Sequence, residues 1–212
     1  MALDAPAQLL VVCGPSAAGK STLVDNLVKS FPDDFAYSVS HTSRAARAGE
    51  VDGRDYHFVP RAAIEAARAE GLFIETAEVH GELYGTSVKA VQDVCGLGKV
   101  CVLILDIEGA KNAASETTKT VLGHGTRVKL VLVVPPSSEE LERRLRARGT
   151  ETPEAMSLRL WNAVMEMRFW NMLDFWDLKL RNDDLETALC EFRAFALKSY
   201  DTVWLPREER YA

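Results

Sequence analysis

The chain has 212 residues, 47% hydrophobic and 26% charged, an ordinary globular balance with room for a sizeable core. Its formal charge of -6 excludes a general nucleic-acid binder, because a phosphate backbone demands broad basic surfaces. No run approaches the ~18–20 apolar residues of a membrane span, and Cys13, Cys95, Cys101 and Cys190 lack metal-ligand spacing.

Residues 8–13 (QLLVVC) form a continuous apolar run that predicts a buried strand. The segment before it has no basic lead-in and carries Asp4, unlike a secretory signal. The cysteines therefore read as reduced, mostly buried thiols of a cytoplasmic protein. The glycine-rich stretch GPSAAGKS comes next. An amphipathic helix follows from about Lys20 to Phe31, with Leu23, Val24, Leu27 and Val28 on one face and Pro32 as its stop. Residues 37–90 change texture: short β-like pieces (YSVSHT, YHFVP, LFIETAEV), Gly-containing turns and one helix (PRAAIEAARAEG) predict a small mixed subdomain inserted after the first βα unit. Val/Leu/Ile runs at 99–105 and 128–134, separated by helices, predict a parallel sheet covered on both faces. A charged helix (SSEELERRLRARG), a helix from about Pro153 to Asp174, a short strand (DLKLRN) and a last helix over about Leu185–Lys198 complete the pattern.

Gly14, Pro15, Ser16, Ala17, Ala18, Gly19, Lys20 and Ser21 fit the phosphate-loop pattern G-x-x-x-x-G-K-S/T, between a strand and a helix as that pattern requires. The glycines let backbone N–H groups turn around an anion, and the helix N-terminus adds positive dipole. Lys20 reaches the β- and γ-phosphates of such a ligand, and the Ser21 hydroxyl ligates its Mg²⁺. With Thr22 these residues form the expected ATP site.

A second signal runs from Ser38 to Val59: SVSHTSRAARAGEVDGRDYHFV. Together with the loop it resembles the guanylate kinase family, whose pattern is SVSxTTRxPRxGExxGxDYxFV after GPSGxGKS. Further matches are Leu72 to Glu75, Tyr84 to Thr86, Arg148 to Glu151 and Arg181 to Asp184, so the resemblance covers about residues 8–198. It implies an α/β fold: a P-loop kinase with a central parallel sheet flanked by helices, an inserted mixed GMP-binding subdomain and a helical lid. One domain would span 1–212, with core segments 1–36, 91–138 and 164–200, a GMP-binding subdomain at 37–90, a lid at 139–163 and a tail at 201–212. It also implies transfer of the γ-phosphoryl group of ATP to GMP or dGMP with Mg²⁺, by a monomer or weak homodimer without nucleic-acid or membrane partners. By the same resemblance Arg44, Arg47, Tyr56 and Tyr84 hold the GMP phosphate, and Ser40, Glu75 and Thr86 read the guanine. Arg144, Arg148 and Arg159 approach the transferring group with Lys20 and Arg44. Asp106 lies near Mg²⁺ or the acceptor.

The residue chemistry agrees. Planar arginine forks grip phosphate through paired hydrogen bonds. Segment 44–61 carries four arginines against three carboxylates, and 142–159 five against three, on a chain that is acidic overall. The competing account of the basic helix is a solvated face paired to Glu139, Glu140 and Glu142, above all for Arg143 and Arg146. A binding domain that has lost catalysis is the alternative function; the intact Gly14, Gly19, Lys20 and Ser21 argue against it. The chain departs from the family at Ala17 and Ala18, read as mild changes. Ile104 stands where the family's LDxD element has its first aspartate. That leaves Asp106, with Glu108 expected on the same side of an extended strand.

Overall fold

The computed structural model describes residues 6–47, 49–79, 81–147, 157, 160–163, 165–166 and 174–200. Five strands form one sheet in the order β2-β7-β1-β8-β9: β1 Gln8–Cys13, β2 Phe35–Tyr37, β7 Val100–Ile104, β8 Arg127–Val134 and β9 Leu178–Arg181. The β2–β7 and β8–β9 pairs are parallel. Leu9 to Val12 and Val131 to Val133 are fully buried, which is why these strands carry continuous apolar runs and not an alternating pattern. A smaller sheet has the order β4-β3-β6-β5, with β3 His41–Thr42, β4 His57–Phe58, β5 Phe73–Val79 and β6 Glu82–Ser87.

The chain forms two compact units. One comprises residues up to Leu9 with Phe35–Leu103 and Glu108–Val128. In it the small sheet carries helix α2 (Arg61–Ala69) and helix α3 (Val88–Gly96), and α4 (Ile107–Ala114) and α5 (Glu116–Leu122) follow β7. The Ser87 side chain accepts from Ala90 N and so caps α3, an arrangement worth about 1 kcal/mol. The other unit comprises Leu10–Asp34, Ile104–Ile107 and the described residues from Lys129 on. There α1 (Lys20–Ser30) packs against α7 (Leu185–Ser199), and α6 is Ser138–Ala147. Leu23, Val24 and Leu27 of α1 are fully buried, each contributing roughly 1.5–3 kcal/mol.

The short strands within residues 37–90 form the smaller mixed sheet, with two differences from expectation. Tyr37 belongs to β2, paired with β7, so the change of sheet comes after it. Strand β6 was not anticipated: its ELYGTS sequence has a glycine inside and little apolar bulk, yet it is the strand on which β3 and β5 both pair. Among the described residues no helix is long and apolar enough to cross a membrane. The expected helix from Pro153 to Asp174 is helical at 160–163 and 165–166; most of its remainder, like the tail 201–212, lies outside the described residues.

Candidate active site

The phosphate loop lies in the second unit. Gly14 has φ +133°, and a Cβ there would stand 1.9 Å from the Val133 carbonyl oxygen, so a side chain is excluded twice over. Ala18 N donates to Pro15 O at 3.2 Å and closes the turn. Ala17 is less mild than its sequence suggested: its φ of 64° is left-handed, which costs a non-glycine roughly 1–2 kcal/mol. Its buried methyl packs with Leu141, Leu145 and Ala163, which offsets part of that cost. The N-cap of α1 is Gly19, with no side-chain cap, so the first-turn amides suit an anion. Lys20 Nζ arches back to donate to Gly14 O at 2.5 Å and Pro15 O at 2.9 Å. Ser16 is half-buried, while Ser21 and Thr22 are exposed at the start of α1. Burial pushes the neighbouring Cys13 thiol up to about 12, so it stays protonated and inert.

The loop is fastened from far along the chain. Asn182, after β9, is buried and donates from Nδ2 to Ala18 O at 2.8 Å, while Arg144 Nη2 donates to Asn182 O at 3.0 Å. The Arg181–Asp184 motif was recognised in the sequence without this role. Its Asp184 caps α7 by accepting from Thr187 N at 2.9 Å.

The residues expected to take the acceptor come together in the first unit, and strand register explains how. Thr42 lies opposite Tyr84, and Thr86 opposite Glu75; His41 lies opposite Gly85, and Ser87 opposite Phe73. Partners directly across a pair share a face. One face therefore carries Thr42, Tyr84, Thr86 and Glu75, and the other carries His41, Gly85, Ser87 and Phe73. Plain alternation would put Phe73 and Glu75 on one side; a bulge between them reverses this and aims Glu75 at Thr86. Thr86 Oγ1 donates to Glu75 Oε1 at 2.7 Å, with both side chains buried.

Beside this pair Arg44 forks onto Glu50 at 2.8 and 2.9 Å, and its guanidinium lies over the rings of Tyr56 (5.4 Å) and Phe58 (5.7 Å). Tyr84 also hydrogen-bonds Arg44 and packs edge-on against Tyr56 at 5.9 Å. Hydrogen bonding to Glu50 is the main cause holding Arg44 firmly protonated, and the reverse holds Glu50 down to about 2. Arg44 Nε is buried and has no hydrogen-bond partner. Arg47 gives its backbone N–H to Glu50 at 2.6 Å and keeps its side chain exposed. Ser40 is half-buried just before β3, where its carbonyl accepts from His57 N at 2.9 Å. Behind the sheet lies a cavity of about 410 Å³ lined mainly by apolar side chains such as Ile64, Leu72 and Phe73. It contains none of the arginine and carboxylate groups just described.

Asp106 is exposed after β7, and Ile104 at the strand end is half-buried. Glu108 does not extend that strand, which corrects the expectation: it lies in the first turn of α4 and pairs with Lys111 at 2.6 Å. Arg143 and Arg146 are paired to Glu140 and Glu142 within α6, and Arg144 also pairs with Glu140 at 2.7 Å. The charged face thus behaves as a solvated helix should, except that Arg144 reaches Asn182 as well. Arg148 and Arg159 lie outside the described residues. Sequence reasoning missed Glu166, a half-buried carboxyl within electrostatic reach of Lys20 and Asp106. Among the described residues no cluster of three or more His, Cys, Asp or Glu is placed to hold a metal ion.

Comparison with known proteins identifies the family. The guanylate kinase family model matches residues 6–198. The guanylate kinase of Nitratidesulfovibrio vulgaris is 45% identical over 186 residues, covering 88% of this chain and 84% of that one. Human guanylate kinase is 40% identical over 184 residues, covering 87% and 89%. Guanylate kinase 1 of rice is 47% identical over 179 residues, which is 84% of this chain but 45% of the rice protein, so this chain spans less than half of that relative. The crystal structure of guanylate kinase from Anaplasma phagocytophilum superposes with a TM-score of 0.64 at 28% identity, covering 92% of this chain and 87% of that one. A family match over nearly the whole chain, with relatives at 40% and 45% identity along most of both lengths, makes this protein a member of the guanylate kinase family.

Proposed function

We propose that the chain transfers the γ-phosphoryl group of ATP to GMP, giving ADP and GDP. The observation that carries this reading is the acceptor face of the small sheet. There Glu75 carries a buried carboxylate on β5, and Arg44, just after β3 of the same sheet, has an Nε–H buried without a partner. A guanine offers N1–H and its 2-amino group to such a carboxylate, whereas adenine offers an acceptor at N1 and nothing at C2. A phosphate oxygen supplies the acceptor that Arg44 Nε lacks.

The acceptor phosphate is already an anion, so no general base is needed. Catalysis is alignment plus neutralisation of charge on the transferring group. Lys20 exchanges its present carbonyl partners for phosphate oxygens, while backbone N–H groups of the loop from Ser16 to Thr22 orient the triphosphate. Asn182 keeps the loop shaped for this through its bond to Ala18. Arg44, Arg47, Tyr56 and Tyr84 hold the acceptor phosphate, with Ser40, Thr86 and Glu75 on the base. We assign Arg144, Arg148 and Arg159 to the transferring phosphoryl group, 37–90 to acceptor binding and 139–163 to the lid. Ser21 and Asp106, both exposed oxygen ligands, fit Mg²⁺. Bound there, the ion would offset charge on the β- and γ-oxygens.

The test is ADP release with each of GMP, AMP, CMP and UMP. GMP is expected to lead by about 10⁴-fold in kcat/KM. Glu75→Gln is expected to lower kcat/KM for GMP by about 10–150-fold with ATP affinity nearly unchanged. Equal use of AMP and GMP by the wild type would defeat the assignment.

A further inference from the structure

Glu166 has no place in the account so far. It belongs to a helical segment described at 160–163 and 165–166, between α6 and β9. Leu160 and Ala163 of that segment pack against Ala17 of the phosphate loop together with Leu141 and Leu145. Glu166 is three residues beyond Ala163, so the two are neighbours on one helix face. The apolar contact with Ala17 thus seats this face on the loop and brings the Glu166 carboxyl within electrostatic reach of Lys20 and Asp106. Its Oε2 is buried and has no hydrogen-bond partner.

A buried carboxyl oxygen without a donor costs roughly 1–3 kcal/mol, more if charged, and asks for one. Here the Glu166 carboxyl stands within electrostatic reach of both the Asp106 carboxyl and the Lys20 ammonium. Burial is the main cause raising the Glu166 carboxyl; Lys20 opposes this, and Asp106 adds to it. An incoming triphosphate adds more negative charge beside both. Carboxylates gathered at an anion site are stable only if a cation or its water supplies what they lack. Mg²⁺ keeps several of its waters and is held by one or two carboxylates plus phosphate oxygens. Those waters donate outward to groups that lie farther from the metal than a direct ligand does, which suits a carboxyl seated behind the loop.

We propose that Glu166 is a positioning residue that holds the hydrated Mg²⁺ of bound MgATP through metal-bound water, sharing that task with Asp106. The proposal rests on the reading of residues 14–22 as the nucleotide site. Glu166 thereby fixes where the charge offsetting the β- and γ-oxygens stands. It touches neither nucleotide, so removing it weakens metal binding selectively.

The experiment measures Mn²⁺ affinity of the protein–ADP complex by electron paramagnetic resonance, and ADP affinity in EDTA by calorimetry. Wild type is compared with Glu166→Gln, which keeps the shape and removes the charge. Loss of a partner of this kind lowers metal affinity by about 10–100-fold, so that loss is expected in Glu166→Gln. Metal-free ADP affinity is expected to be unchanged or slightly tighter, because one negative charge has left the site. Equal Mn²⁺ affinity in wild type and variant overturns the proposal, as does an equal loss of ADP affinity with and without metal, which is the mark of a merely structural residue. Should the glutamine variant not fold, Glu166→Ser takes the same two measurements with the same outcomes. If wild type itself binds no ADP, the nucleotide-site reading fails first and the proposal with it.

Discussion

Glu50 commits both carboxylate oxygens to the guanidinium of Arg44 and accepts the Arg47 amide as well, so one acidic residue organises the turn carrying both arginines. Its carboxyl sits at about 2 in the folded chain, chiefly because of the Arg44 hydrogen bonds, against ~4.3 when unfolded. A folded value below the unfolded one means stability that is present above pH ~4.3 and lost as pH falls from there through about 2. The expected result is that the unfolding free energy of wild type minus that of Glu50→Gln stays level from pH 7 to about 5. Below that it shrinks toward zero. Urea unfolding at each pH measures it, and a difference flat down to the lowest accessible pH would show that the fork contributes nothing. Arg44 and Glu50 are both legible in the sequence as parts of one motif. Their mutual fork is not, because a six-residue separation in a loop follows no fixed geometry.

At the level of elements, the bulge between Phe73 and Glu75 decides which side of the small sheet carries Glu75. The apolar–polar pattern of LFIETAEV correctly predicts a strand. It cannot reveal that one extra residue reverses the alternation, since a bulge is defined only against its partner strand. Gly85 belongs to the same device: a Cβ there would lie 2.7 Å from the Phe73 ring. Gly85→Ala is expected to destabilise by about 1–3 kcal/mol through overpacking. In a Phe73→Leu background the same substitution should cost less than half as much, and a double-mutant cycle by urea unfolding reads the coupling. Additive costs would mean that ring and glycine do not constrain each other. The start of α4 teaches a related lesson. The apolar run ending at Asp106 offers no local stop, so Glu108 reads as strand, whereas it stands in the first turn of a helix and pairs with Lys111.

For the whole molecule, the two groups of site residues belong to separate compact units: Ser40 to Thr86 in one, the phosphate loop in the other. On the proposed function each unit therefore has its own ligand to hold. GMP alone is expected to slow hydrogen exchange at Ser40–Arg44 and Glu75–Thr86, and MgADP alone at Gly14–Leu23, as read by mass spectrometry of peptic fragments. Protection of the loop by GMP alone, with none in β5 and β6, would sink the division of labour. The loop, the arginine-bearing turn, the long apolar strands and α1 were all determined by the sequence on its own. Each is a contiguous stretch whose residue types act on neighbours a few positions away, so local sterics and periodicity suffice. Only the tertiary structure decided that Glu75 faces Thr86, that Asn182 fastens Ala18 from 164 positions away, and that Glu166 comes within reach of Lys20. These depend on strand register and on packing between distant segments. No period within one segment encodes them, because they are settled when the segments bury their apolar faces against one another.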